Sequence, residues 1–276
     1  MSSALRAEAL GFVYPDGTHA LDGVDLDIGL GELVAIIGQN GSGKSTLVRH
    51  FNGLLRATTG TVRVNGQPVA GRHVAELARE VGIAFQNPDR QIFSGNARRE
   101  VEFGPRNAGV RGAELADRVE HALALAGLSD HAEANPYDLG FSQRKLLALA
   151  SVLAVETPII VLDEPTTGQD AAGVGRIHAI VAELAAAGRT VVAISHDMRF
   201  VAETFERVIV MRDGGIVLDG TPEEAFAERH WPALESTFLE PPLPALIGAR
   251  AGLGSTPTDA ALVKALVARA PETGKG

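Results

Sequence analysis

The stretch that most constrains the fold is LVAIIGQNGSGKSTLVRHFNGL, residues 33 to 54. Leu33, Val34, Ala35, Ile36 and Ile37 form an apolar run rich in β-branched residues, the pattern of a strand buried on both faces. The next nine residues, Gly38, Gln39, Asn40, Gly41, Ser42, Gly43, Lys44, Ser45 and Thr46, contain G-x-x-x-x-G-K-[ST]. In such a loop glycines let backbone N–H groups curl around phosphate oxygens, and the loop opens a helix at its positive N-terminal end. Leu47, Val48, Phe51 and Leu54 then stripe an amphipathic helix. Lys44 is placed to reach β and γ phosphates, and Ser45 a magnesium ion. A glycine-rich turn that happens to hold a lysine is the bland alternative, but the order strand, loop, helix argues against it.

The rest of the composition sets outer bounds. A chain of 276 residues, 45% hydrophobic and 21% charged, has ample core for one large or two moderate globular domains. Its formal net charge of −9 speaks against a dedicated nucleic-acid binder, whose affinity rests on Lys and Arg neutralising phosphates. With no cysteine there are neither disulfides nor thiolate metal sites, which suits a reducing compartment. No apolar run approaches the roughly 18 to 20 residues of a membrane span. The N-terminal MSSALRAEAL also lacks the basic-then-apolar form of a signal peptide. Membrane association is therefore expected through a partner.

Upstream of the loop, Val24, Leu26 and Ile28 alternate with Asp25 and Asp27, the mark of a sheet with one wet face. Pro15, Asp16 and Gly17 form a turn after Tyr14, an aromatic that either stacks on an adenine ring or simply packs. Val62, Val64, Asn65 and Gly66 read as strand and turn. Val81 to Phe85 is a short strand ending at Gln86, an amide placed to meet a metal, although glutamines in loops are common. From about 87 to 157 the pattern is helical: Leu115, Val119 and Leu123 recur at four-residue spacing, Gly127 ends that helix, and Gln143 to Val155 is a second apolar-striped segment.

Ile159, Ile160, Val161 and Leu162 form a buried strand that delivers Asp163 and Glu164 at its carboxyl end, where ligands sit in open parallel sheets. Asp163 is suited to hold magnesium through water, and Glu164 to orient or deprotonate an attacking water. An isolated acidic turn is the alternative. Val174, Ile177, Val181 and Leu184 make a helix closing at Gly188, and Thr190 to Ser195 is a strand ending at His196. Val208 to Met211, Asp213 to Gly215 and Ile216 to Leu218 close the domain as a hairpin, before a capping-box start at Thr221, Pro222 and Glu224. Beyond about 223, Pro241, Pro242 and Pro244 interrupt the chain. Leu262, Leu266 and Val267 then stripe a last short helix before a polar tail at Pro271 to Gly276. Small helices of this kind dock on something, on a partner subunit in preference to the parent domain.

Taken together, Tyr14, the Gly38 to Ser45 loop, Gln86, LDEP at 162 to 165 and His196 resemble the nucleotide-binding subunit of an ABC transporter over roughly residues 5 to 222. The resemblance implies an α/β fold: a P-loop NTPase with a RecA-like core, an antiparallel β subdomain and a helical subdomain at about 87–157. The ATPase domain is expected at 1–222, and a small C-terminal helical extension for dimerisation or docking at 223–276. It also implies roles. Tyr14 stacks on adenine, Lys44 and Ser45 handle phosphates and magnesium, Gln86 senses the metal and the transporter interface, Glu164 positions the hydrolytic water, and His196 contacts the γ phosphate. FQNPDRQIF at 85 to 93, EVEFGPRNAG at 100 to 109 and the tail with LEPPLPAL resemble more narrowly the ATPases of energy-coupling factor importers, which take up vitamins or transition-metal ions. The expected cofactors are ATP and Mg2+. The expected partners are a second ABC ATPase, an integral-membrane coupling subunit and a substrate-binding membrane subunit, with no nucleic acid, and the expected location is the cytoplasmic face of the membrane. The rivals are a conventional binding-protein-dependent importer and a non-transport ATPase of the same superfamily, which would bring a long coiled-coil insertion or tandem cassettes.

Two departures stand out. Where the family signature reads LSGGQ, this chain has Leu139, Gly140, Phe141, Ser142 and Gln143. In the family that signature covers the nucleotide held by the facing ATPase, so Phe141 in a glycine position and a serine moved two places are expected to impair the partner's site. Gly168, Gln169 and Asp170 also depart from the family pattern, which has a leucine before the aspartate. A heterodimer follows as the economical expectation. A homodimer remains possible if Ser142 replaces the lost serine through a shifted loop.

Overall fold

Two kinds of apolar patterning produce two sheets. The computed structural model describes residues 3–269; the polar tail expected at Pro271 to Gly276 lies outside them. The alternating pattern gives β1 (Ser3–Val13) and β2 (His19–Gly29), and beyond β3 (Leu33–Ile37) and α1 (Lys44–Phe51) it gives β4 (Thr59–Val64) and β5 (Gln67–Pro68). These strands form an antiparallel sheet in the order β2-β1-β4-β5. Val24, Leu26 and Ile28 are buried while Asp25 and Asp27 face water. Asn65 and Gly66, with φ of 49° and 75°, supply the left-handed pair that a two-residue hairpin between β4 and β5 requires.

The continuous apolar runs build the second sheet. After α2 (Val74–Leu77) come β6 (Val81–Ala84), the helices α3 (Ala97–Ala108), α4 (Gly112–Leu125) and α5 (Phe141–Leu153), then β7 (Ile159–Asp163). They are followed by α6 (Ala171–Ala186), β8 (Thr190–Ile194), α7 (Met198–Thr204), β9 (Arg207–Arg212) and β10 (Gly215–Gly220). The order is β10-β9-β3-β8-β7-β6, parallel except for the β9–β10 hairpin. Every residue of β3, β7 and β8 is buried, because successive side chains point into different layers. Val34, Ile36, Val161 and Val192 face α1 and the antiparallel sheet, whereas Ala35, Ile37, Leu162 and Ala193 face the helical side. Leu115, Val119 and Leu123 bury the inner face of α4, as their spacing predicts.

Three boundaries differ from expectation. Helix α1 stops at Phe51 because Gly53 turns left-handed (φ 74°), so Leu54 is exposed and Leu55 packs on the core instead. Strand β6 ends at Ala84, one residue short of Phe85. Helix α5 begins two residues before Gln143, with Gly140 preceding its first turn.

The C-terminal segment holds α8 (Pro222–Ala225), α9 (Trp231–Glu235), α10 (Leu243–Arg250) and α11 (Asp259–Arg269). The expected capping box starts α8: Glu224 N–H donates to Thr221 Oγ1, and Thr221 N–H to the Glu224 carboxylate. Phe226, Leu234 and Ala245 join the parent domain's core on the helical side. Along α11 only Leu262 of the apolar stripe is buried. Leu266 and Val267 face outward, as do Phe238, Leu243 and Ile247. No helix among the described residues is long and apolar enough to cross a membrane.

Candidate nucleotide site

Strand order gathers the predicted site residues. Moving across the sheet from β3 through β8 and β7 to β6, the carboxyl ends deliver the glycine-rich loop, His196, the Asp163–Glu164 pair and Gln86. They open on a cavity of about 310 Å3, lined by Lys44, Ser45, Thr46, Gln86, Asp163 and Glu164, with Tyr14 at its rim. Separations along the chain from 32 residues (Glu164 to His196) to 158 (Gly38 to His196) collapse because parallel neighbours present the same end.

The loop is shaped by glycine. Gly38 has φ 149°, and a Cβ there would lie 2.2 Å from the Met211 carbonyl oxygen; Gly43 has φ 101°, and its Cβ would meet the Ala20 carbonyl at 2.6 Å. Lys44 Nζ donates to the carbonyls of Gly38 and Gln39, both at 2.7 Å, and to Ser42 Oγ at 3.3 Å. Burial lowers the Lys44 pKa, and the nearby Glu164 and Asp163 charges oppose that shift. Ser45 Oγ donates to Asp163 Oδ1 at 3.5 Å. Burial raises the Asp163 pKa against that hydrogen bond. Among the described residues no cluster of three or more His, Cys, Asp or Glu exists to enclose a metal alone. A hydroxyl, one carboxylate and the Gln86 amide instead form a sparse, all-oxygen donor set, which fits magnesium sharing its shell with phosphates and water.

Glu164 has a left-handed backbone (φ 53°), uncommon for a residue with a side chain. Its N–H donates to the Ile194 carbonyl at 2.8 Å, binding it to the adjacent strand. Glu164 Oε2 lies 2.8 Å from His196 Nδ1 and 3.3 Å from the Thr167 hydroxyl. The imidazole and the carboxylate are thus paired, with His196 largely exposed. The Tyr14 hydroxyl is 2.9 Å from Thr46 Oγ1, and Phe12 packs edge-on against its ring with centroids 4.8 Å apart.

Gly140, Phe141, Ser142 and Gln143 stand at the start of α5, across an adjoining cavity that Phe141 shares with Ser45, Gln86 and Asp163. The two sequence departures meet here. Phe141 lies so close to Gly168 that a Cβ at 168 would come within 2.6 Å of its ring. Ser142 Oγ donates to Gln169 Oε1 at 2.6 Å, and Gln169 Nε2 returns a bond to the Ser142 carbonyl at 3.3 Å. Gln143 is engaged locally, accepting from Gly140 N–H at 3.2 Å and lying 3.1 Å from His131 Nε2.

Sequence reasoning missed Lys145. Its buried ammonium donates to the carbonyls of Glu164 and Thr167, the latter at 2.7 Å. The available signal was a lysine immediately before an apolar run, KLLALA, on a helix whose neighbours are buried. Two buried lysines, Lys44 and Lys145, thereby flank two buried carboxylates, which keeps the cluster close to neutral.

A phosphate loop on a parallel sheet, paired carboxylates one strand away, an antiparallel sheet beneath and a helical insertion together define an ATP-binding cassette. The family model described as ABC transporter matches residues 21–167, and the chain belongs to that family as one of its ATPases. It is 41% identical over 226 residues to the energy-coupling factor transporter ATP-binding protein EcfA of Methanocaldococcus jannaschii, covering 81% of each chain. To EcfA of Methanoculleus marisnigri it is 42% identical over 245 residues, 88% of each. Among solved structures, CbiO1 from Clostridium perfringens, part of the ABC transporter complex CbiONQ, superposes with TM-score 0.75 at 37% identity, over 84% of this chain and 93% of that one. The cassette MJ0796, seen as a dimer in a post-hydrolysis state with ADP and Pi, gives TM-score 0.72 at 29% identity, over 79% of this chain and 98% of that one. The expected fold class and the resemblance to energy-coupling factor ATPases are both borne out.

Proposed function

We propose that this chain binds Mg-ATP at the carboxyl edge of its six-stranded sheet, hydrolyses it as one half of an ATPase pair, and energises uptake of a vitamin or transition-metal ion by an energy-coupling factor transporter. The observation that carries the proposal is the convergence of Lys44, Ser45, Asp163 and Glu164 on one cavity, with His196 paired to Glu164. Lys44 and the loop N–H groups grip the β and γ phosphates, and Tyr14 offers its ring to the adenine. Glu164 orients the attacking water and accepts its proton, while His196, bonded to Glu164, contacts the γ phosphate from the exposed side. Magnesium, held by Ser45, Asp163 and Gln86, supplies charge neutralisation when bound. Catalysis is then chiefly positioning and electrostatics.

The pair is a heterodimer in this proposal. At the start of α5 the N–H groups of the first turn have no intrahelical acceptor, so an anion could still dock there. The Ser142 hydroxyl, however, is committed to Gln169, and the Phe141 ring, bulkier than the family's glycine, packs against Gly168 beside it. Those contacts argue against Ser142 replacing the missing signature serine and favour a weak site on the partner. The outward Phe238, Leu243, Ile247, Leu266 and Val267 supply apolar surface for an association through the 223–276 extension. Membrane subunits receive the stroke near Gln86 and the helical subdomain, with the chain peripheral on the cytoplasmic face. Magnesium-dependent hydrolysis lost on Lys44→Ala and in chelator supports the site. Brisk, cooperative hydrolysis by the purified chain alone contradicts the asymmetric pair.

A further inference from the structure

We infer that Lys145 is a positioning residue for hydrolysis, holding the backbone of Glu164 in its left-handed turn and tying the start of α5 to this chain's own water-orienting carboxylate. The inference rests on the role proposed for Glu164.

Lys145 is 6% exposed, yet neither Asp163 nor Glu164 takes a hydrogen bond from its ammonium. Both observed bonds go to main-chain carbonyls, those of Glu164 and Thr167. Burying an ammonium is costly, and a leucine of similar volume would meet the apolar neighbours of α5 more cheaply. What the lysine adds is a pair of charge-assisted donors that fix one turn from both ends. That turn contains Glu164, whose φ of 53° sits in a sparsely populated region and persists only where neighbours enforce it. On the amide side the enforcing contact is Ile194 O. On the carbonyl side it is Lys145, assisted by a long bond of 3.4 Å from Thr167 N–H. Relaxing φ to the ordinary negative range would swing the carboxylate away from His196.

The link runs in both directions. Ser142 and Phe141, in the same helical turn as Lys145, grip Gln169 and Gly168 a few residues further along the chain from Glu164. Displacement of the α5 start, as when it closes over a partner's nucleotide, therefore pulls on residues 164 to 169 of its own site. Lys145 is the member of this set that touches the Glu164 backbone directly.

The test compares Lys145→Met, Lys145→Arg, Glu164→Gln and the Lys145→Met/Glu164→Gln double variant in the assembled ATPase, normalised to folded protein. ATP-analogue affinity is measured beside kcat and KM. Lys145→Met is expected to lower kcat by about 10- to 100-fold, the scale of small misplacements of a reacting group, while KM and analogue affinity stay within about threefold. Lys145→Arg should recover most of the loss, and Lys145→Met should cost nothing further once Glu164 is Gln. If Glu164→Gln abolishes turnover while Lys145→Met keeps wild-type kcat, the inference is overturned and the site assignment stands. If Glu164→Gln itself retains turnover, the site assignment fails and the inference with it. A kcat loss matched by an equal loss of affinity marks a general structural role and also overturns it. Should Lys145→Met not fold, Lys145→Gln against Lys145→Arg decides: equal kcat in the two contradicts the need for a charged donor.

Discussion

The proposed function gives two helix starts to phosphate, α1 and α5, and they are made in opposite ways. Helix α1 grows from a glycine loop whose conformation is written locally: Gly38, Gly41 and Gly43 all have positive φ, and the cradle leaves no room for a Cβ at Gly38 or Gly43. Helix α5 starts from Gly140 in an ordinary conformation (φ −63°), and a Cβ there would meet nothing nearer than 3.8 Å. Its shape comes from tertiary contacts: Phe141 on Gly168, Ser142 with Gln169, and Lys145 with Glu164 and Thr167. A loop shaped by its own glycines tolerates little change at those that leave no room for a Cβ, Gly38 and Gly43. One made by neighbours can drift if the neighbours drift with it, and the changed signature and the changed loop after LDEP touch one another.

The sharpest way to break this contrast is alanine at each start. Gly43→Ala should reduce ATP affinity by well over 10-fold and strain the loop by about 1–3 kcal/mol. Gly140→Ala should leave stability within about 0.5 kcal/mol. Similar losses of Tm and nucleotide affinity in the two variants would erase the distinction. Next in size is Gly168→Ala, which combines φ 74° with collision against the Phe141 ring. It should destabilise by about 1–3 kcal/mol in denaturant unfolding. Adding Phe141→Ala should recover the steric part alone, and strict additivity would mean that the two departures are independent.

A smaller effect is expected between Ser142 and Gln169, where a double-mutant cycle with Ser142→Ala and Gln169→Leu should give about 0.5–1.5 kcal/mol of coupling. Zero coupling would leave the latch without energetic content. The smallest is a pH effect. Burial lowers the Lys145 pKa to about 8, from an ordinary 10.5, so between those values the unfolded chain holds more protons than the folded one. Unfolding free energy therefore rises with pH across that window. Measured by urea titration on nucleotide-free protein, the stability of wild type relative to Lys145→Met should improve from pH 8 to 10, and a flat difference would contradict the burial of a charged amine.

Much of the fold was legible because its signals are local. The unbroken runs at 33–37, 159–162 and 190–194 became fully buried parallel strands, and the Val24, Leu26, Ile28 alternation became a half-wet sheet. Motif spacing likewise singled out Asp163, Glu164 and His196 at strand ends and Lys44 and Ser45 at the start of α1, elements that the sheet order brings to one edge. The unreadable part is made by contacts between distant segments. Neither periodicity nor propensity reports that Ser142 meets Gln169, that Lys145 reaches the Glu164 carbonyl, or that His196 pairs with Glu164. The same limit explains Leu54 and the outward Leu266 and Val267. A stripe marks which residues share a helical face but not where a left-handed glycine ends the helix or whether anything covers that face.

The central claim is that triphosphate is gripped and cut at the sheet edge between the glycine loop and Glu164. A crystal structure of the Glu164→Gln variant grown with ATP and magnesium tests it most directly. The account predicts the adenine against Tyr14, the γ phosphate within hydrogen-bond reach of Lys44 and His196, and the metal bonded to Ser45. ATP bound elsewhere on the chain, with the Lys44 loop making no phosphate contact, would contradict it.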